Sequence, residues 1–261
     1  MLNQLKQYEP ALASCQKAID GDGQWWADGL AEAFNQQSHA LSGLNRHPEA
    51  LAAANRAIGL SPNYTKAWSD RAVIHWQMAQ YPEALADSEK ASQLNPQDPI
   101  PWFNRGRTFT AMNQWPEAIK AYSQALKLDA NQAETWANLS AAQWNAQQFR
   151  DALESADRAV TVNPKSLQGW YNRAIILTSL RRYADARESY EAAIDLSKTQ
   201  PQLWANYGVL LMHLKDYPTA QQALTTALQL DPKQPTAQQA LTALTTWQAQ
   251  VQAQAQTQTK R

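Results

Sequence analysis

The sequence predicts an all-α solenoid of antiparallel helix pairs, and three observations carry that prediction. Tryptophan-led tetrapeptides recur every 34 residues: Trp68-Ser69-Asp70-Arg71, Trp102-Phe103-Asn104-Arg105, Trp136-Ala137-Asn138-Leu139, Trp170-Tyr171-Asn172-Arg173 and Trp204-Ala205-Asn206-Tyr207. Small residues keep the same register. With 99–132 taken as one copy, the eighth place holds Ala72, Gly106, Ser140, Ala174 and Gly208, and the twentieth and twenty-seventh hold alanine from Ala84 and Ala91 to Ala220 and Ala227. The seventeenth place is aromatic: Tyr81, Trp115, Phe149, Tyr183 and Tyr217. A fixed period of this length is the mark of one supersecondary unit copied in tandem and stacked on itself.

Each class of position has a physical task. Small residues let helix axes approach to about 8–10 Å, and large aromatics bury apolar area beside them. Proline closes the units, as in Leu94-Asn95-Pro96, Val162-Asn163-Pro164 and Leu230-Asp231-Pro232, because it cannot continue a helix. The mid-unit break Met112-Asn113-Gln114-Trp115-Pro116 puts proline in the first turn of the next helix, where a missing N–H costs nothing.

In chain order, residues 1–20 read as a half repeat: Tyr8-Glu9-Pro10-Ala11-Leu12 and Ala18-Ile19 look like a second helix without most of its first. An insert loop spans 20–30, rich in Gly and Asp, with Trp25 and Trp26 near its end. Full units follow at 31–64, 65–98, 99–132, 133–166, 167–200 and 201–234, the first of them degenerate, with Phe34 in the tryptophan place. Residues 235–251 read as a solvating, capping helix started by Thr236. The Gln/Ala/Thr tail 252–261 has nothing large to bury and is expected to be disordered.

This pattern resembles the tetratricopeptide repeat: Trp at four, a small residue at eight, Ala at twenty and twenty-seven, Pro at thirty-two. It departs at seven, where Arg71, Arg105 and Arg173 stand in place of Leu. The resemblance covers nearly the whole chain. It implies a right-handed superhelix whose first helices line a concave groove.

Composition narrows the function. The chain of 261 residues carries 23 basic and 23 acidic side chains. It has no basic excess for a phosphate backbone, so nucleic acid is not an expected partner. No apolar run nears the roughly 20 residues of a membrane span, and no secretory leader opens the sequence. The single cysteine, Cys15, fits a reducing, cytoplasmic setting, and its repeat position is one of packing. The histidines at 39, 47, 75 and 213 lack metal-ligand spacing. Asp20 and Asp22 begin like a calcium loop, but Trp25 and Ala31 stand where that loop needs Gly and Glu. No metal, no cofactor and no catalytic residue are expected.

What remains is a binding surface. By the resemblance, Asn104, Asn138, Asn172 and Asn206 at position six point to the groove. A carboxamide grips a peptide backbone through two donors and an acceptor, so a series of them resembles the asparagine ladder of the superhelical domain in O-linked sugar transferases. The alternative is that each Asn bonds a neighbouring turn. The rest of the expected lining comprises Phe103 and Tyr171 at five, Arg107 at nine, Trp76 and Trp144 at twelve, and Gln77, Asn145 and His213 at thirteen. Aromatics beside an arginine are typical interface anchors. The tryptophans at position four are expected to be core, and Arg71, Arg105 and Arg173 to pair with nearby carboxylates. The clamp that family members use on chaperone tails needs Lys at five, whereas these copies hold Ser69, Phe103, Ala137, Tyr171 and Ala205. The expected function is therefore a non-catalytic adaptor or scaffold binding a peptide or protein segment. The alternatives are a regulatory or targeting segment of a larger kinase-like or glycosyltransferase-like enzyme, or a factor that self-associates through its N-terminal end.

Overall fold

The structure, a computed structural model, describes residues 2–21 and 27–258. Fourteen helices and no strand occur among the described residues. They are α1 (Leu2–Asp20), α2 (Ala27–Gly43), α3 (His47–Leu60), α4 (Thr65–Gln77), α5 (Tyr81–Leu94), α6 (Pro99–Ala111), α7 (Trp115–Leu128), α8 (Ala133–Asn145), α9 (Phe149–Val162), α10 (Leu167–Ser179), α11 (Tyr183–Leu196), α12 (Pro201–His213), α13 (Tyr217–Leu230) and α14 (Pro235–Gln258). They fall into two compact units, residues 1–131 and 132–261. In the first, α2 packs on α3, α4 on α5 and α6 on α7, while α2, α4 and α6 also meet one another in order; in the second, α8, α10, α12 and α14 do the same.

The turn inside each pair recurs with one geometry. Asn45, Ala79, Asn113, Gln147, Arg181 and Lys215, one per repeat, have φ between 56° and 61°. At each, the following N–H reaches a carbonyl five residues back, as in Gln80 to His75 (2.8 Å) and Gln148 to Gln143 (2.8 Å). The turn residue's own N–H bonds three back, as in Ala79 to Trp76 and Gln147 to Trp144. This paired closure satisfies carbonyls that the helix end would leave open and needs one left-handed residue. The position-seventeen aromatic then opens the second helix, with Pro beside it in α5, α7 and α13.

The alanines at positions twenty and twenty-seven are wholly buried from Ala84 to Ala227. The position-four tryptophans, expected as core, are half-buried. Their rings pack between helices while the indole N–H of Trp68, Trp170 and Trp204 donates to a backbone carbonyl six residues back at 2.9 Å, clipping the turn between units. Gln238 makes the same bond to Pro232 with its amide. Position-seven side chains tie three helices together. Arg71 of α4 holds Asp87 of α5 through two bonds and Asn55 of α3. Arg173 of α10 holds Asp157 of α9 and Ser189 of α11. Arg105 rests instead on the Trp102 ring.

The ends differ from expectation. α1 runs unbroken through Pro10, so the helix does not begin there. It covers the outer side of α2: Tyr8 meets the His39 ring edge-on, and Leu12 and Ile19 join clusters with Leu41 and Phe34. Cys15 is half-buried rather than buried, and burial pushes its thiol up, which keeps it protonated and a poor nucleophile. The expectations for Asp22, Trp25 and Trp26 lie outside the described residues. At the other end α14 continues to Gln258 where the tail was expected to be disordered. Ala and Gln are good helix formers, and no Gly or Pro interrupts them.

Candidate functional site

In the first half, three of the expected groove residues come together. Arg107 of α6 lays its guanidinium over the Trp76 ring of α4, 4.0 Å from its centre, and lies 5.8 Å from the centre of Phe103. All three side chains are half-buried. Phe103 in turn rests against the buried Tyr122 of α7, with ring centres 6.0 Å apart. The Trp76 indole N–H is buried without a hydrogen-bond partner. Its counterpart two repeats on, Trp144, donates to Ser179 Oγ at 2.9 Å; the residue two repeats before Ser179 is Ala111, which has no hydroxyl to offer.

Three of the four asparagines hold helices to one another. Asn104 is buried and donates to the Ser69 carbonyl of α4. Asn172 is buried, donates to the Ala137 carbonyl and Ser140 Oγ of α8, and accepts from Gln168. Asn206 donates to the Tyr171 hydroxyl and accepts from Gln202. Each reaches back to the fifth position of the preceding first helix. Asn104 and Asn172 are thus buried, with amide hydrogens bonded to the preceding first helix. Asn138 is half-buried and makes no side-chain hydrogen bond among the described residues.

Asp70 occupies the sixth place one repeat before Asn104, and here the direction of donation reverses: Asn35 of α2, fully buried, donates to its carboxylate at 2.7 Å. Burial pushes the Asp70 carboxyl up, opposed by that hydrogen bond and by the charges of His39 and Lys66. The Asn35 carbonyl oxygen and the Ser38 hydroxyl stay buried and unpartnered. The sequence reading missed this pair, although Asp70 breaks an otherwise uniform column.

In the second half three hollows follow one another along the first helices. One of about 140 Å³ lies between α8 and α10, lined by Ala141, Trp144, Asn145, Asn172, Ile175 and Ile176. The next, about 170 Å³, lies between α10 and α12 and includes Tyr171 with Gln168 and Leu203. The third, about 610 Å³, lies between α12 and α14 and includes Met212, His213, Leu244 and Trp247. Tyr171 is tied down by Asn206, and burial pushes its hydroxyl pKa up. His213 stacks flat on Tyr183, ring centres 5.1 Å apart. No cluster of three metal-ligating side chains occurs among the described residues, and no described helix is long and apolar enough to cross a membrane.

Tetratricopeptide repeat profiles match residues 35–99, 138–201 and 177–244, and a TPR repeat profile matches 106–147. The chain belongs to the tetratricopeptide repeat family. A search of curated proteins finds no match to the sequence. Solved structures share the tetratricopeptide fold, an all-α repeat solenoid. A chain of the APC/C hetero-tetramer Cut9-Hcn1 superposes with a TM-score of 0.77 at 16% identity, over 93% of this chain and 47% of that one. This chain thus spans about half the length of that relative. PilF of Pseudomonas aeruginosa gives 0.74 at 17% identity, over 82% of this chain and 97% of PilF. YrrB, described as a TPR protein with an unusual peptide-binding site, gives 0.55 at 20% identity, over 79% and 100%.

Proposed function

We propose that this tetratricopeptide chain is a non-catalytic adaptor that holds an extended peptide or protein segment against its first helices. One observation carries the reading: in the second half a hollow lies between each successive pair of first helices, lined in turn by Trp144, Tyr171 and His213, residues singled out by register. Adjacent helices stand about 10 Å apart and an extended chain advances about 3.3 Å per residue. The hollows beside Trp144 and His213 lie toward the C-terminal ends of α8 and α12, and the one beside Tyr171 toward the N-terminal ends of α10 and α12, so a strand that meets all three crosses the first helices obliquely. The two smaller hollows fall below the roughly 300–1,000 Å³ of small-molecule sites. The peptide-binding site named for YrrB, which shares the fold, is in keeping with this use.

The test is selection of peptides from a displayed random library, followed by affinity measurement with Ala141→Leu, which fills the hollow beside Trp144. Weaker binding with unchanged helicity is the expected result. Failure to enrich any peptide, or equal binding by the filled variant, refutes the proposal.

A further inference from the structure

We infer that Arg107, held between Trp76 and Phe103, is an anchor for an acidic side chain, aspartate or glutamate, of a bound peptide. The inference rests on the peptide-binding reading above and adds the chemistry of one ligand residue.

The argument begins with the supply of carboxylates. Arg46, Arg71, Arg173, Arg182 and Arg187 each hold an acidic side chain of the chain itself. Arg107 holds none: among the described residues it makes neither an ion pair nor a hydrogen bond, only its two ring contacts. The helices that carry Arg107 and its Trp76 partner offer no free acid. α6 contains no acidic residue. The one acid of α4, Asp70, is taken by Asn35, and Asp87 of α5 is taken by Arg71. Arg105, two residues away, lies on roughly the opposite side of α6, toward the second helices where Arg71 and Arg173 make their ties.

A guanidinium that rests on rings and makes no hydrogen bond of its own leaves its N–H donors uncommitted. Packing against the two rings restricts the side chain, so less freedom is lost when those donors bind. The fork geometry fits a carboxylate through two parallel hydrogen bonds. The aromatic faces around it exclude water and give apolar neighbours of the acidic residue a place to pack. A single ion pair of this kind loses only modestly on raising salt.

The experiment uses the full chain and three pools of short peptides, degenerate over Ala, Leu, Ser, Asn and Phe. Two pools have blocked ends and a central Glu or Gln; the third is Gln-centred with a free C-terminal carboxylate. Fluorescence anisotropy gives the affinities. The Glu pool should bind about tenfold more tightly than the blocked Gln pool, the gain expected of one charge-assisted pair. Arg107→Gln should abolish that preference, so that the blocked Glu and Gln pools bind alike, with the thermal midpoint near that of the parent. If that variant loses helicity, Arg107→Met, which keeps the apolar stem, replaces it. Trp76→Leu should shrink the preference without removing the charge. Equal binding of blocked Glu and Gln pools overturns the inference and leaves the peptide-binding reading standing. Binding confined to the free-carboxylate pool also overturns it, since the site would then read a chain end. Absence of binding by every pool refutes the underlying reading and the inference with it.

Discussion

Gly106→Ala should destabilise the first half of the chain even though alanine is the better helix former. A methyl built on Gly106 would stand 2.5 Å from Cδ1 and Cε1 of Tyr122 and 2.9 Å from Cγ. Carbon atoms rest at about 3.5–4.0 Å, so the ring must retreat by about 1 Å. Tyr122 has little room to do so: it is 1% exposed, backs Phe103, and its hydroxyl lies 3.2 Å from that of Thr110. Overpacking of this kind costs about 1–3 kcal/mol, against a gain of about 1 kcal/mol from replacing a mid-helix glycine. The net expectation is a loss of about 1 kcal/mol. Gly59, exposed in α3, has nothing within 4 Å of its would-be methyl, so Gly59→Ala should gain about 1 kcal/mol. Urea unfolding followed by circular dichroism measures both, with the slope checked for constancy. If Gly106→Ala stabilised the protein as Gly59→Ala does, Tyr122 would not be packed against α6 as described, and the support beneath Phe103 and Arg107 would be lost with it.

Other expectations can be checked by the same means. Ala111→Ser should give the buried Trp76 indole the hydroxyl that Ser179 gives Trp144, raising stability by about 1 kcal/mol; no change in the unfolding midpoint would count against the equivalence of the two sites. Asp70→Asn should stabilise at neutral pH. The Asp70 carboxyl is raised in the fold, so its contribution is complete below the unfolded value near 3.9 and is lost as pH rises through the folded one; the advantage of Asn should vanish at about pH 3. The Tyr207 hydroxyl is pushed up to about 12, first by burial and then by donation to Glu191. Stability should therefore hold to about pH 10, the unfolded value, and fall above it, with part of that fall absent in Tyr207→Phe. Ala79→Gly should relieve the left-handed turn and gain about 0.5–1 kcal/mol, read as a higher thermal midpoint.

The repeated helix pair was legible because the positions that carry it admit few residues. Ala118 and Ala125 leave no room for a larger side chain, and the aromatics at seventeen open helices where the register placed them. The partners of the groove residues were not legible. Whether Asn172 faces a ligand or the Ala137 carbonyl depends on how α8 and α10 cross, which no spacing within one repeat records. The contact of Arg107 with Trp76 joins residues from two repeats and occurs once among the described residues, so periodicity could not reveal it. The left-handed residues were hidden for another reason. Ala79, Gln147 and Lys215 carry no local preference for that conformation, which the closed turn imposes on them.

Those six turns also set where the chain's mirror-image tolerance lies. None of the described glycines has positive φ; Gly106 and Gly208 sit inside helices, where they make room for Tyr122 and Leu224. Each left-handed site is thus filled by an L-residue in the region that its D-counterpart prefers. A chain assembled chemically with D-alanine at 79 or 147 would keep the backbone N–H and carry a compact methyl, and it would avoid the added freedom that glycine brings to the unfolded state. Comparing D-alanine with glycine at one turn would separate conformational strain from chain entropy, and the recurrence of the turn would allow the measurement to be repeated six times within one molecule.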